Sequence, residues 1–321
     1  MVVTTEGEFM TRDGTKLYTK SWKPESASAI PAGLIFIHGF SDHINAYYNF
    51  FPTLSSFPFN IAVYAFDQRG WGRSVSKPSD SGLTGPTPVV LSDIHDFILH
   101  VSSLPETQGL PLFLMGHSMG GGEALCYMLS TSAALTQSRC SISGLLLESP
   151  YIELDPSEQP SFLKVSAGKL AALLLPHAQL KQKLSPTYMS RDAKVRQDWV
   201  DDPLCHDTGT LEGLNGLLQR AADLSSLSHG HKVHGFSTSV SCPIWFSHGS
   251  GDKVTSPVAA KRLYDVLQAR GGDKTFQSYP DAYHKLHAEP DGMGEQYAKD
   301  VAMWILSHSN KGNDEAAKVG P

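Results

Sequence analysis

The sequence predicts an α/β protein: a mostly parallel sheet with helices on both faces and a helical insertion over one end. Three observations carry this reading. Short apolar runs at 33–37, 61–66, 112–115, 142–147 and 243–247 are unbroken rather than alternating, which marks strands buried on both faces. Segments read as helices lie between and after them, at 89–104, 121–129, 257–269 and 295–307. From 151 to 239 the strand signal lapses, and helical patterns, prolines and charges take its place.

Taken in order, residues 8–22 hold two extended segments around Arg12-Asp13-Gly14, and Asp-Gly between such segments is a hairpin signal. A polar link, 23–31, leads to the strand 33–37, which ends on His38-Gly39-Phe40. The strand 61–66 ends on Asp67-Gln68-Arg69-Gly70-Trp71-Gly72-Arg73-Ser74, too rich in glycine for regular structure. The helix 89–104 precedes the strand 112–115, the turn Gly116-His117-Ser118-Met119-Gly120 and the helix 121–129; the strand 142–147 closes at Glu148-Ser149-Pro150. In parallel sheets ligands bind beyond the carboxyl ends of the strands, and His38, Asp67 and Ser118 fall at or just past such ends.

Within the insertion, residues 161–184 carry Phe162, Leu163, Val165, Leu170, Leu173, Leu174, Leu175, Leu180 and Leu184, interleaved with Lys164, Lys169, Lys181 and Lys183. This is either an amphipathic lid that touches lipid or, the plainer reading, an ordinary helix packed on the core. The sheet resumes at 243–247, followed by His248-Gly249-Ser250-Gly251-Asp252. The strand 275–279 leads to Pro280-Asp281-Ala282-Tyr283-His284, and a polar tail, 308–321, is expected to be disordered.

With 321 residues, 40% of them hydrophobic, the chain can bury one large core. A net charge of -6 and the lack of a basic stripe exclude a nucleic-acid binder. The sequence contains neither a signal-peptide pattern nor an apolar run of about 18 residues, so a soluble cytoplasmic protein is expected. Cys126, Cys140, Cys205 and Cys242 form no C-x-x-C pair and read as buried reduced thiols. His229, His231 and His234 lie in a Ser/Gly/Lys-rich loop with no Cys or carboxylate nearby, so they read as a solvated loop; no metal and no cofactor is expected.

Gly116-x-Ser118-x-Gly120 between strand and helix is the pattern of a nucleophile elbow. So tight a turn strains the central residue and leaves no room for side chains at the flanking positions. A phosphate cradle is the competing reading, but no Lys-Ser or Lys-Thr follows at the required spacing, and Glu123 would oppose a phosphate. A serine hydroxyl needs a base to take its proton and a carboxylate to orient that base. At an elbow the partners follow in the order Ser, acid, His on loops after late strands, which Asp252 and His284 satisfy. His287, three residues on, is the rival base. Two N–H donors must face the developing oxyanion: Met119, and Phe40 in the loop after the strand 33–37. His38 is read first as bracing that loop.

His38-Gly39-Phe40, Asp67 to Ser74, Gly116-His-Ser-Met-Gly-Gly121, Gly249-Ser-Gly-Asp252 and Ala282-Tyr-His284-Lys-Leu-His287 together resemble the monoacylglycerol lipase family of α/β-hydrolases. The resemblance runs from about residue 8 to 307 and touches the insertion at Asp201-Asp-Pro-Leu204. It implies an α/β-hydrolase fold with a mostly parallel eight-stranded sheet, a core of residues 1–150 and 240–307, and a helical cap at 151–239. It implies Ser118 as nucleophile, Asp252 as acid, His284 as base, Phe40 and Met119 as oxyanion donors, and hydrolysis of monoacylglycerol to glycerol and fatty acid. His38, His117 and Leu174 are candidate substrate contacts. The implied partners are a single-chain lipid ester and, through the cap, a membrane or lipid-droplet surface; no protein partner is expected. The chain departs from the family pattern at Asp42, where relatives carry Glu, and its cap matches only in patches. A lysophospholipase or small-ester carboxylesterase is the alternative enzyme, and a non-catalytic ligand-binding protein the alternative class.

Overall fold

The turn at Asp13-Gly14, with Gly14 at φ +84°, folds β1 (Val2–Met10) back antiparallel on β2 (Lys16–Pro24). Arg69 pins this hairpin to the body by reaching both Asp13 and the buried Asp93. The structure is a computed structural model; it describes residues 1–25, 30–159 and 162–309, with the side chains of 137, 138 and 162–167 left out.

The first half continues through β3 (Gly33–Ile37), α1 (Phe50–Ser55), β4 (Ala62–Phe66), α2 (Thr87–Ser103), β5 (Leu112–His117), α3 (Met119–Leu129), α4 (Thr136–Cys140) and β6 (Ile142–Glu148). Next come α5 (Phe162–Leu174), β7 (Gln179–Lys181), α6 (Ala193–Asp201), β8 (Thr208–Thr210) and α7 (Leu211–Ser228). The chain closes with β9 (Ser239–Val240), β10 (Ile244–Gly249), α8 (Pro257–Val266), β11 (Gln268–Ala269), β12 (Lys274–Tyr279) and α9 (Met293–Ser309). Eight strands form one sheet in the order β1-β2-β4-β3-β5-β6-β10-β12. The pairings β1–β2 and β2–β4 are antiparallel and the rest parallel.

The period of two along each strand divides the core. Ile35, Ile37, Leu112 and Leu114 pack with α2, α3, α8 and the end of α7, while Leu34, Phe36, Phe113 and Met115 pack with α1 and α9. Both faces are covered, which is why these strands read as continuous apolar runs.

Several boundaries differ from the sequence expectation: β1 begins at Val2 rather than near residue 8, and the helix expected over 257–269 ends at Val266, with Gln268–Ala269 in β11. β5 runs on to His117 and α3 begins at Met119, so a single residue makes the turn. The 151–239 segment holds the short antiparallel pair β7–β8, whose three-residue strands are too brief to leave a periodicity. The last helix runs through His308, which stacks on Trp304 at 4.1 Å and reaches Asp273, so the expected disordered tail does not begin there. Residues 310–321 of that tail lie outside the described residues.

The 151–239 segment meets the loops after β3 and β12, at the carboxyl end of the sheet. Trp199 Nε1 donates to Ser41 O at 2.9 Å, and the amide of Asp207 donates to Ser41 Oγ at 3.0 Å. The amides of His284 and Lys285 donate to the carbonyls of Tyr188 and Met189 at 3.2 and 2.8 Å. Among the described residues no helix is long and apolar enough to cross a membrane.

Candidate active site

Ser118 joins β5 to α3 with φ 55° and ψ −118°, a backbone conformation that L side chains rarely adopt. The two flanking glycines follow from this tight turn. A Cβ on Gly116 would strike the Gly120 carbonyl, and one on Gly120 would strike the carbonyls of Ile37 and His38. Ser118 N–H donates to Glu148 O at 2.9 Å, which ties the elbow to the neighbouring strand. Strain at such a position persists only because the surroundings over-determine it.

His284 joins the other two expected residues. Its Nε2 lies 2.8 Å from Ser118 Oγ and its Nδ1 lies 2.8 Å from Asp252 Oδ2. The amides of Val254 and Thr255 donate to Asp252 Oδ1 at 2.7 and 3.1 Å, and Thr255 Oγ1 donates to Oδ2 at 2.9 Å. Burial works to raise the Asp252 carboxyl, but the charge of His284 and hydrogen bonds from His248 and His284 outweigh it and hold the group well below the usual carboxylate range. An ionised Asp252 fixes the His284 proton on Nδ1 and leaves Nε2 free to accept the serine proton.

Two amides near Ser118 are unspent. Neither Phe40 N–H nor Met119 N–H donates to a protein acceptor among the described residues. Gly39 approaches the Ser118 side chain so closely that a Cβ there would lie 3.2 Å from Ser118 Cβ, which places the Phe40 loop against the serine. Met119 opens α3, whose N-terminus favours negative charge. Phe40, Ser118 and Met119 line a cavity of about 460 Å³. Most of its remaining wall is apolar, with Leu154, Leu184, Leu211, Leu214, Leu217 and Leu218 among the contributors.

The profile of the family described as "Serine aminopeptidase, S33" matches residues 29–291. The chain belongs to that family. It is 36% identical over 294 residues to a Schizosaccharomyces pombe protein named "Putative monoglyceride lipase", an alignment covering 91% of this chain and 72% of that one. Human monoglyceride lipase is 28% identical over 299 residues, covering 91% of this chain and 88% of the human protein. A soluble variant of the Saccharomyces cerevisiae monoglyceride lipase, crystallised with a substrate analog, matches with a TM-score of 0.81 at 24% identity, across 95% of this chain and 94% of that one. The fold is that of an α/β-hydrolase.

In this S33-family chain the three candidate substrate contacts stand away from the cavity. His38 is fully buried: Gln68 N–H donates to its Nε2 at 2.8 Å, and its Nδ1 donates to Gly39 O at 2.8 Å. Burial keeps it neutral, lowering its affinity for a second proton, so it braces the loop. His117 is buried beneath the elbow, with Nδ1 3.0 Å from Tyr47 OH. Leu174 ends α5 with 74% of its surface exposed, and among the described residues of that helix Gly168 and Lys169 reach the cavity. Leu170, Leu173, Leu175 and Leu180 are exposed as well, so the apolar residues of this stretch do not all pack on the core as the plainer reading expects. Phe162, Leu163, Lys164 and Val165 lie outside the described side chains.

His287 is not the base: Ser118 Oγ pairs with His284 Nε2 at 2.8 Å, while His287 turns its Nδ1 to Glu148 Oε1 at 2.7 Å. His248, four residues before Asp252, escapes the sequence reading; its Nε2 lies 3.0 Å from Asp252 Oδ2. The buried pair of Asp42 and Lys285, at 2.8 Å, also escapes it, although Lys285 adjoins His284 and Asp42 lies two residues beyond Phe40.

Among the described residues His43, Asp202 and Cys205 form a group compact enough to consider for a metal. The imidazole argues otherwise: Asn45 N–H donates to His43 Nδ1 at 3.3 Å, which leaves the proton on Nε2, where it faces Asp202 Oδ2 at 2.9 Å. Burial, followed by the charge of Asp42, raises the Cys205 thiol, so it stays protonated. These residues clamp the segment containing Asp202 to the loop containing His43.

Proposed function

We propose that this chain is a serine hydrolase that cleaves monoacylglycerol to glycerol and a fatty acid through an acyl-enzyme on Ser118. The observation that carries the proposal is His284 bridging Ser118 Oγ and Asp252 Oδ2, at 2.8 Å each, at a serine that opens on an apolar cavity. Similarity to monoglyceride lipases supplies the substrate class. Ser118 Oγ attacks the ester carbonyl as its proton passes to His284 Nε2, and the amides of Phe40 and Met119 receive the oxyanion. The bond to glycerol breaks with the proton returned from His284 to the leaving oxygen. Water, deprotonated by His284, then attacks the acyl-enzyme; the proton returns to Ser118 and the fatty acid leaves.

In this reading residues 1–150 and 240–307 are the catalytic core and 151–239 the cap that selects the substrate. The cap's exposed Leu170, Leu173, Leu174 and Leu175 supply a face for a lipid surface, so the enzyme works as a peripheral cytoplasmic protein.

The test is fatty-acid release from monooleoylglycerol, lysophosphatidylcholine and a short-chain ester, beside an aminoacyl anilide, with Ser118→Ala as control. The proposal expects the highest kcat/KM on monooleoylglycerol. It also expects a residual rate in the variant of about 10³ to 10⁴-fold over water. Preference for the short ester or the lysophospholipid would replace the substrate and keep the chemistry. Unchanged turnover in Ser118→Ala would overturn both.

A further inference from the structure

Helix α7 presents Leu211, Leu214, Leu217 and Leu218 to the cavity beside Ser118, a face suited to an alkyl chain. Asn215 interrupts that face. It lies one turn after Leu211 and three residues before Leu218, it lines the same cavity, and its Oδ1 is buried with no hydrogen-bond partner among the described residues. Besides the Phe40 and Met119 amides and the Tyr151 hydroxyl, the other polar side chains on the wall have partners or meet water. Ser118 Oγ pairs with His284 and Thr255 Oγ1 with Asp252, while Glu158, Lys169 and Gln182 are exposed to water at the rim.

A buried amide oxygen left unpaired is unfavourable, and leucine at this position would continue the apolar wall without that penalty. Among the described residues the packing of the helix offers the amide oxygen no partner. A ligand does.

We infer that Asn215 hydrogen-bonds a hydroxyl group of the substrate and so selects hydroxyl-bearing single-chain esters over plain alkyl esters. The inference rests on the reading of this cavity as the acyl-ester site. A hydroxyl is the group that fits whichever way the amide is turned, since it donates to Oδ1 and accepts from Nδ2. A plain alkyl chain does neither. Two parts of a substrate can carry it: the glycerol head, or an oxygenated position along the acyl chain.

The test compares the full chain with its Asn215→Leu variant on three esters: monooleoylglycerol, ethyl oleate, and ethyl 12-hydroxyoleate. Loss of one hydrogen bond predicts a kcat/KM lower by about 10-fold for a hydroxyl-bearing substrate, carried by KM, with ethyl oleate unchanged or improved. A loss confined to monooleoylglycerol assigns the contact to the glycerol head; a loss confined to ethyl 12-hydroxyoleate assigns it to the acyl chain. Equal effects on all three esters overturn the inference, as they would if a bound water alone served the amide. A second measurement separates this from the catalytic proposal: calorimetric binding, in a Ser118→Ala background, of the non-hydrolysable ether 1-O-oleylglycerol, oleyl ethyl ether and 12-hydroxyoleyl ethyl ether. Hydroxyl-dependent weakening by Asn215→Leu without turnover of any ester by the wild type would sink the hydrolase reading and keep this one. No such weakening would sink this one whatever the turnover. Thermal unfolding of Asn215→Leu is expected to match or exceed the wild type, since the change removes a buried unpaired group.

Discussion

His248 shares an oxygen of Asp252 with His284: the two imidazoles lie 3.0 and 2.8 Å from Oδ2. The remaining nitrogen of His248, Nδ1, is buried and has no partner among the described residues. Paired with an ionised carboxylate, His248 carries its proton on Nε2 and donates it to Asp252. It therefore helps to hold the carboxylate that orients His284 without approaching Ser118.

His248→Leu removes one of several donors to Asp252 and is expected to lower kcat/KM by about 10-fold, equivalent to about 1.4 kcal/mol. His248→Gln, which keeps a donor, should recover most of it. Asp252→Asn should be far worse, by about 10⁴ in kcat, because it also corrupts the tautomer of His284. Steady-state kinetics on a soluble short-chain ester rank the three; a His248→Leu enzyme equal to the wild type would contradict the assignment.

Asp42, two residues after Phe40, and Lys285, next to His284, form a buried ion pair at 2.8 Å. Burial works to raise the Asp42 carboxyl, but the charge and hydrogen bond of Lys285 hold it below its ordinary value. The pair's stabilisation is thus present above about pH 4, where an unfolded Asp is ionised, and is lost as pH falls through the lower folded value. Asp42→Asn or Lys285→Met alone should each cost about 3–5 kcal/mol by stranding the other charge, and the double variant less than the sum. Urea unfolding of the four proteins closes this cycle, and additive losses would refute the coupling.

Glu123, on α3 beyond the nucleophile, pairs with Arg220 of α7 at 2.8 Å, and both are buried. Burial outweighs the attraction of Arg220 and pushes the Glu123 carboxyl up to about 7 from an ordinary 4.5. Between those values the folded chain holds a proton that the unfolded chain has released, so this group's contribution to stability falls as pH rises, by at most roughly 3 kcal/mol. Glu123→Gln should abolish that fall. The stability difference between wild type and variant, measured by urea unfolding at pH 5 and pH 8, should shift in favour of the variant at the higher pH; a pH-independent difference would contradict it.

Gly120 has no room for a side chain beneath the β3 end, since a Cβ would strike the carbonyls of Ile37 and His38. Gly120→Ala is expected to cost about 1–3 kcal/mol by overpacking and to abolish most activity by displacing the Phe40 loop. Thermal unfolding and ester turnover measure the two effects, and a fully active, equally stable variant would mean that the loop can yield.

The buried strands, the hairpin at Asp13-Gly14 and the elbow at Ser118 are legible in the sequence because each is a local constraint. A strand covered on both faces must be apolar throughout, and a one-residue turn must be flanked by residues without side chains. The chain order of Ser118, Asp252 and His284 adds a topological constraint, since the last two follow β10 and β12 on the same end of the sheet. β7 and β8 leave no such trace, being three residues each and exposed or edge-placed.

The sequence by itself determined the apolar strands, the strained turn and the order of the three hydrogen-bonded residues, all of which depend on neighbours in the chain or on strand ends. Tertiary structure alone set His117 against Tyr47 and gave His287 to Glu148, and it supplied Gln68 as the partner of the bracing His38. It also joined Asp42 to Lys285 across 243 positions and Glu123 to Arg220 across 97. The reason is that a buried charge or imidazole is stable only beside a partner, and that partner is chosen by packing in space, to which neither periodicity nor spacing along the chain is a guide.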